Sequence, residues 1–111
     1  MIGIFDSGIG GLTVVRALRA ARPDLSYVYL GDTARAPYGT KSPETIRRYA
    51  EDCADFLLSK GAKAVVIACN TASSLASEHL RARHPELPIF EVVGPAVRAA
   101  LAVSSTKRIG L

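Results

Sequence analysis

Residues 63–68, "KAVVIA", form a near-continuous apolar run that stops at Cys69 and passes at once into small polar residues, "NTASS". The run is too short for a buried helix and rich in β-branched side chains, so it reads as a strand. A half-exposed strand would alternate apolar and polar positions. Unbroken apolarity instead means burial on both faces, the condition of a strand inside a parallel sheet. Such a sheet needs helices on its faces, and so demands strand–helix alternation from the rest of the chain.

The rest supplies it. Residues 2–5 (IGIF) read as a first strand, followed by the glycine-rich turn "DSGIGG" and a helix from Leu12 to Ala21. Val14, Val15, Ala17, Leu18 and Ala21 mark the stripe expected to be buried there, with Arg16 and Arg19 outward. Pro23 stops that helix, and "SYVYLGD" gives a second strand. After the loop "TARAPYGTK", Ser42 is placed to cap a helix with Pro43 at its first position, and Gly61 to close it in a left-handed turn. On that helix Ile46, Tyr49, Ala50, Cys53, Phe56 and Leu57 recur at helical spacing. A helix from about Ala72 to Arg83, a fourth strand in "LPIFEVVG", a helix in "PAVRAALAV" and a strand beginning in "KRIGL" complete the pattern. The fold class is therefore α/β, a parallel sheet flanked by helices.

The chain of 111 residues is at most one domain's worth, with 49% hydrophobic and 22% charged residues as in ordinary soluble proteins. No run approaches the ~18 apolar residues of a membrane span, so no membrane partner is expected. The opening "MIGIFDSG" lacks a basic, then apolar, leader, and two cysteines without disulfide-type spacing fit a reducing cytoplasm. The net charge of +4 is spread over several elements among carboxylates, and aromatics are 6%, so no nucleic-acid partner is expected. "RIGL" stops where a loop and helix ordinarily follow a strand, which reads as part of a longer protein.

In an open parallel sheet, ligands bind beyond the carboxyl ends of the strands. Asp6-Ser7-Gly8, "GDTARAPYG" and Cys69-Asn70-Thr71 all fall at that edge. The Gly8–Gly11 loop offers backbone N–H groups to an anion, although it also reads as a tight turn and has neither P-loop nor dinucleotide spacing. Cys69 lies where a helix N-terminus favours a thiolate, and its alternative role is a buried residue ending an apolar strand. Asp6 is either a base or a helix cap. Tyr38 sits in a Pro-Tyr-Gly turn expected to be exposed, whereas Cys53 falls on an apolar stripe and reads as core. His79 is expected in semi-buried packing or an interface, and His84 at a helix C-terminus. No Cys/His cluster has zinc spacing, and no metal is expected.

With these residues assembled, "FDSGIGGLTV", "DTARAPYGTKS", "ACNTAS" and "VGPA" in this order make the chain similar to the aspartate/glutamate racemase family, and within it to the glutamate racemases of bacterial cell-wall synthesis. The resemblance covers essentially all 111 residues. It implies two pseudo-symmetric α/β domains, residues 1–94 belonging to the first and 95–111 to the connection and the start of the second. It implies cofactor-independent, two-base interconversion of L- and D-glutamate for peptidoglycan. Cys69 would take the α-proton from D-glutamate with Asp6 as helper, and Asp6, Ser7, Tyr38, Gly39, Asn70 and Thr71 would bind substrate or orient the thiol. The partner implied is small-molecule glutamate, with a homodimer as the assembly to test. The second cysteine of the family belongs to a Cys-Thr-His motif that has no counterpart here, and the first domain is completed by the C-terminal part of the full chain. This chain alone is therefore expected to be inactive. The alternatives are an aspartate racemase, a non-catalytic binding fragment, and a cysteine nucleophile or redox enzyme, the last without a C-x-x-C motif.

Overall fold

The 63–68 run does lie inside a parallel sheet. A computed structural model describes residues 1–110, and in it four parallel strands are ordered β2-β1-β3-β4, with β1 at Ile2–Asp6, β2 at Tyr27–Gly31, β3 at Ala64–Ile67 and β4 at Ile89–Glu91. β1 and β3 are the central pair, in register from Ile2 opposite Ala64 to Phe5 opposite Ile67. The helices are α1 (Leu12–Ala21), α2 (Pro43–Ser59), α3 (Asn70–Arg83) and α4 (Val93–Val103), and two 3₁₀ turns, Thr33–Arg35 and Tyr38–Thr40, carry the loop after β2.

One face of the sheet is well covered. Phe5, Val65, Ile67 and Ile89 pack with Ile46, Ala50, Cys53, Leu57, Ala72, Ala76 and Leu80 of α2 and α3 in one core. Gly3 is needed under α2, because a Cβ there would stand 3.0 Å from the Cβ atoms of Ala62 and Leu57. Ser42 caps α2 through Thr45 N–H to its Oγ at 3.2 Å, Pro43 follows it, and Gly61 takes φ +92. His79 bonds Glu51 across the α2–α3 seam, and His84 closes α3 through its N–H to the Leu80 carbonyl.

The other face differs from expectation. No residue of α1 is fully buried. Val14, Val15 and Leu18 are half-buried and Ala17 and Ala21 exposed. Helical spacing identifies the apolar side of α1, but a stripe is buried only where something covers it. Here an apolar groove of about 420 Å³ runs from Val14 and Leu18 across Ile2 and Val66 to Phe90 and Pro95, and Phe90 is 57% exposed. Helix α4, apolar except for Arg98, buries no residue.

Three boundaries also shift. α3 starts at Asn70, two residues before the expected Ala72, because Cys69 itself caps it. β4 ends at Glu91, and Val93 and Gly94 join α4 as the Glu91 carboxylate accepts their N–H groups at 2.7 and 3.0 Å. Pro95 then sits in a first turn where no N–H is needed. Residues 107–110 form no strand, since no neighbour pairs with them; Leu111 lies outside the described residues.

Gly11 is the tightest point between sheet and α1. A Cβ there would lie 2.8 Å from Asp6 Cβ and 2.9 Å from Ala68 Cβ, atoms fixed to their backbones. Gly11→Ala is expected to cost about 1–3 kcal/mol, the usual range for overpacking, read as a lowered urea midpoint with unchanged slope.

Candidate active site at the β1–β3 edge

The strand order reverses direction of growth between β1 and β3, which opens a crevice beyond their carboxyl ends. Asp6 ends β1 and Cys69 follows β3 by two residues, so the pairing that buries both strands also brings these residues to one edge. The Ala68 N–H donates to the Phe5 carbonyl at 2.8 Å and extends the ladder to the rim.

Cys69 occupies the N-cap of α3, 5% exposed. Its Sγ accepts the Ala72 N–H at 3.5 Å and its thiol donates to Ser7 Oγ at 3.6 Å. A sulfur so placed receives a helix N-terminal N–H and sits at the positive end of the α3 macrodipole. Asn70 and Thr71 form the first turn of α3. Gly39 lies against them, as a Cβ on it would be 3.9 Å from Thr71 Oγ1.

Asp6 is 7% exposed, and its Oδ2 accepts the Gly11 N–H at 2.9 Å. It thus serves the start of α1 from the preceding strand, although the formal cap position is Gly11. The N–H groups of Leu12, Thr13 and Val14 bond carbonyls of residues 9–11. Any anion held by this loop therefore meets the N–H groups before Gly11.

Tyr38 is the clear departure from expectation. It is 1% exposed, and its hydroxyl donates to Asp32 Oδ2 at 2.5 Å and lies 3.8 Å from Cys53 Sγ. Its phenol is directed into the core, so a ligand contact from this position falls to its backbone or to Gly39. Burial, then the Asp32 hydrogen bond, raises the phenol's pKa well above its ordinary value and keeps it a donor. Cys53 is core as expected, 1% exposed, and burial foremost pushes its thiol up, which suits neither a base nor a nucleophile.

Two positions carry more than their sequence pattern disclosed. Arg35 bridges Asp32 and Asp52 at 2.6 Å each, stacks 4.1 Å from the Tyr49 ring centre and reaches Cys53 Sγ at 3.7 Å, locking the loop around Tyr38. The Asp-x-x-Arg spacing was the available signal. Tyr29 donates its hydroxyl to the Gly8 carbonyl at 2.8 Å and lies 3.5 Å from Asp6 Oδ2. Burial, then the Asp6 charge and hydrogen bond, push its phenol up to about 12. Its signal was the Tyr27-Val28-Tyr29 alternation, which puts both phenols on the α1 side.

Among the described residues no group of three or more His, Cys, Asp or Glu side chains is placed to hold a metal ion, and no helix is long and apolar enough to cross a membrane.

Tyr38→Phe removes a buried bond to a carboxylate and is expected to destabilise the fold by about 1–3 kcal/mol, measured by urea unfolding. A variant as stable as the parent would remove the Asp32 bond from its structural role.

The chain as a whole is similar to known proteins. The chain is 56% identical to the glutamate racemase of Aquifex aeolicus over 110 residues, which is 99% of this chain and 43% of that protein. It superposes on the structure of glutamate racemase from Aquifex pyrophilus with a TM-score of 0.93 at 52% identity, over 98% of this chain and 43% of that one. It also matches the Francisella tularensis glutamate racemase solved in complex with D-glutamate, with a TM-score of 0.83 at 42% identity, over 92% of this chain and 39% of that one. The chain thus spans about two-fifths of the length of these relatives. The sequence profile of the Asp/Glu/Hydantoin racemases matches residues 12–111, and with the same fold and high identity throughout, the chain belongs to that family.

Proposed function

We propose that the protein carrying this chain interconverts L- and D-glutamate without a cofactor, and that Cys69 is one of its two acid–base groups. The observation behind this reading is the meeting of Cys69 Sγ with Ser7 Oγ at 3.6 Å, beside Asp6, in the crevice between β1 and β3. An α-proton beside a carboxylate is weakly acidic, and its removal needs a base held in place and charge stabilised as it develops. Cys69 as thiolate takes that proton from D-glutamate. The C–H pair stays on the α-carbon and spreads into the carboxylate, while the proton becomes the S–H hydrogen. Ser7, Asn70 and Thr71 side chains and the backbone at Tyr38 and Gly39 hold the substrate's carboxylates and amino group, with Asp6 assisting the thiol.

Inversion requires a proton on the opposite face, and Cys53 is shut in the core. The second donor therefore comes from the part of the relatives' length that this chain does not span, in a second domain entered near residue 95. That part also closes the crevice and covers the α1–α4 groove. The product serves peptidoglycan synthesis in the cytoplasm, and a homodimer is the assembly expected.

In D₂O, D-glutamate incubated with the complete protein is expected to yield L-glutamate that carries deuterium at the α-carbon. Cys69→Ser should lower racemisation about 10²–10⁴-fold, the range for a lost general base, whereas Cys53→Ala should keep turnover. A Cys69→Ser enzyme that exchanged and racemised at the parental rate would remove Cys69 from the chemistry. Residues 1–111 alone should show no efficient racemisation; efficient turnover by them would overturn the two-base reading.

A further inference from the structure

The turn that carries Ser7 has few anchors of its own. Ser7 and Gly8 are half-buried, Gly10 is exposed and Ile9 is 73% exposed. Strand β2 grips it at two places. The Tyr29 hydroxyl donates to the Gly8 carbonyl at 2.8 Å, and two residues on, Gly31 lets that same carbonyl approach so closely that a Cβ would stand 2.6 Å from it. The same hydroxyl lies 3.5 Å from Asp6 Oδ2, the oxygen that also receives the Gly11 N–H.

We propose that Tyr29 is a positioning residue for proton transfer at Cys69: by donating to the Gly8 carbonyl its hydroxyl fixes the Ser7–Gly10 turn, with the Asp6 carboxylate beside it, and thereby sets Ser7 Oγ relative to the Cys69 sulfur. This rests on the reading of Cys69 as the group that deprotonates D-glutamate. Tyr29 acts at one remove from Ser7, the thiol's hydrogen-bond partner, since it holds the carbonyl of the next residue, Gly8, and its oxygen lies 3.5 Å from the carboxylate of the residue before, Asp6. Its hydroxyl makes no hydrogen bond to the sulfur, so its part is positional. Phenylalanine would keep the ring packing and delete only the donor, leaving the Gly8 carbonyl to water and the turn free to drift.

The test is Tyr29→Phe in the complete enzyme, with α-protonated and α-deuterated D- and L-glutamate. The two enantiomers are equally stable, so kcat/KM must fall by the same factor in both directions, about three- to tenfold for one lost oriented hydrogen bond. The isotope effects then separate the two faces. A slower step at Cys69 makes cleavage of the D-enantiomer's α-C–H bond more rate-limiting. The deuterium effect on kcat/KM should therefore rise from D-glutamate and fall from L-glutamate. A merely structural loss lowers the amount of working enzyme and leaves both isotope effects unchanged, which would overturn the proposal, as would unchanged kcat/KM. Gly31→Ala displaces the same carbonyl with Tyr29 intact and should shift the isotope effects in the same sense. Should Tyr29→Phe not fold, unchanged isotope effects in Gly31→Ala overturn the proposal. A parent enzyme that exchanges no α-proton overturns the proposed function and this inference together; a parent that racemises beside a silent Tyr29→Phe overturns this inference alone.

Discussion

The parallel pairing of β1 with β3 is the constraint from which the rest follows. Ile4, Phe5, Val65 and Ile67 are fully buried, and their apolar surface makes any one-residue slip of register costly. That fixed register decides which residues emerge at the carboxyl edge, and hence that a carboxylate, a hydroxyl and a thiol share it. The close contacts around Gly11 and Gly31 are secondary to it: both glycines let the turn after β1 lie flat against the edge that the pairing has already defined.

The two faces of the sheet show how much of a fold travels with local sequence. Below, α2 and α3 complete a core whose members all lie within the chain. On the α1 side Phe90 is left open, and so, along α4 beside Asn70 and Ser74 of α3, are Val97 and Leu101. Exposed apolar side chains of this size add nothing to the core, since only surface taken from water stabilises. The asymmetry places the domain's own stability mainly in the α2–α3 side.

What was legible in the sequence was local. The 63–68 run, the Ser42–Pro43 start and the Gly61 stop depend on residues a few positions apart, and the fold follows them. Tyr38 was not legible, because its partners Asp32 and Cys53 reach it only after α2 folds back over the loop. Tyr29 escaped for the same reason, its partner lying 21 residues earlier in the chain. The α1 stripe failed differently: periodicity tells which side of a helix is apolar, not whether a neighbour covers it. Residues 107–110 have strand composition without a strand beside them. Of the candidate site, the strand-end placement of Asp6, Ser7 and Cys69 could be read; the inward turn of the Tyr38 phenol could not.

Cys69 is at once the end of a strand's run and the cap of a helix, with one sulfur atom receiving the Ala72 N–H. Any side chain that shortens or turns this residue therefore acts on two elements at once: it disturbs the end of the β3 run, and it takes the side-chain acceptor from the first N–H groups of α3. Asn70 and Thr71 ride on that turn. Their place at the crevice thus hangs on the same atom that ends the strand, and the sheet edge and the helix start cannot be altered independently at this position.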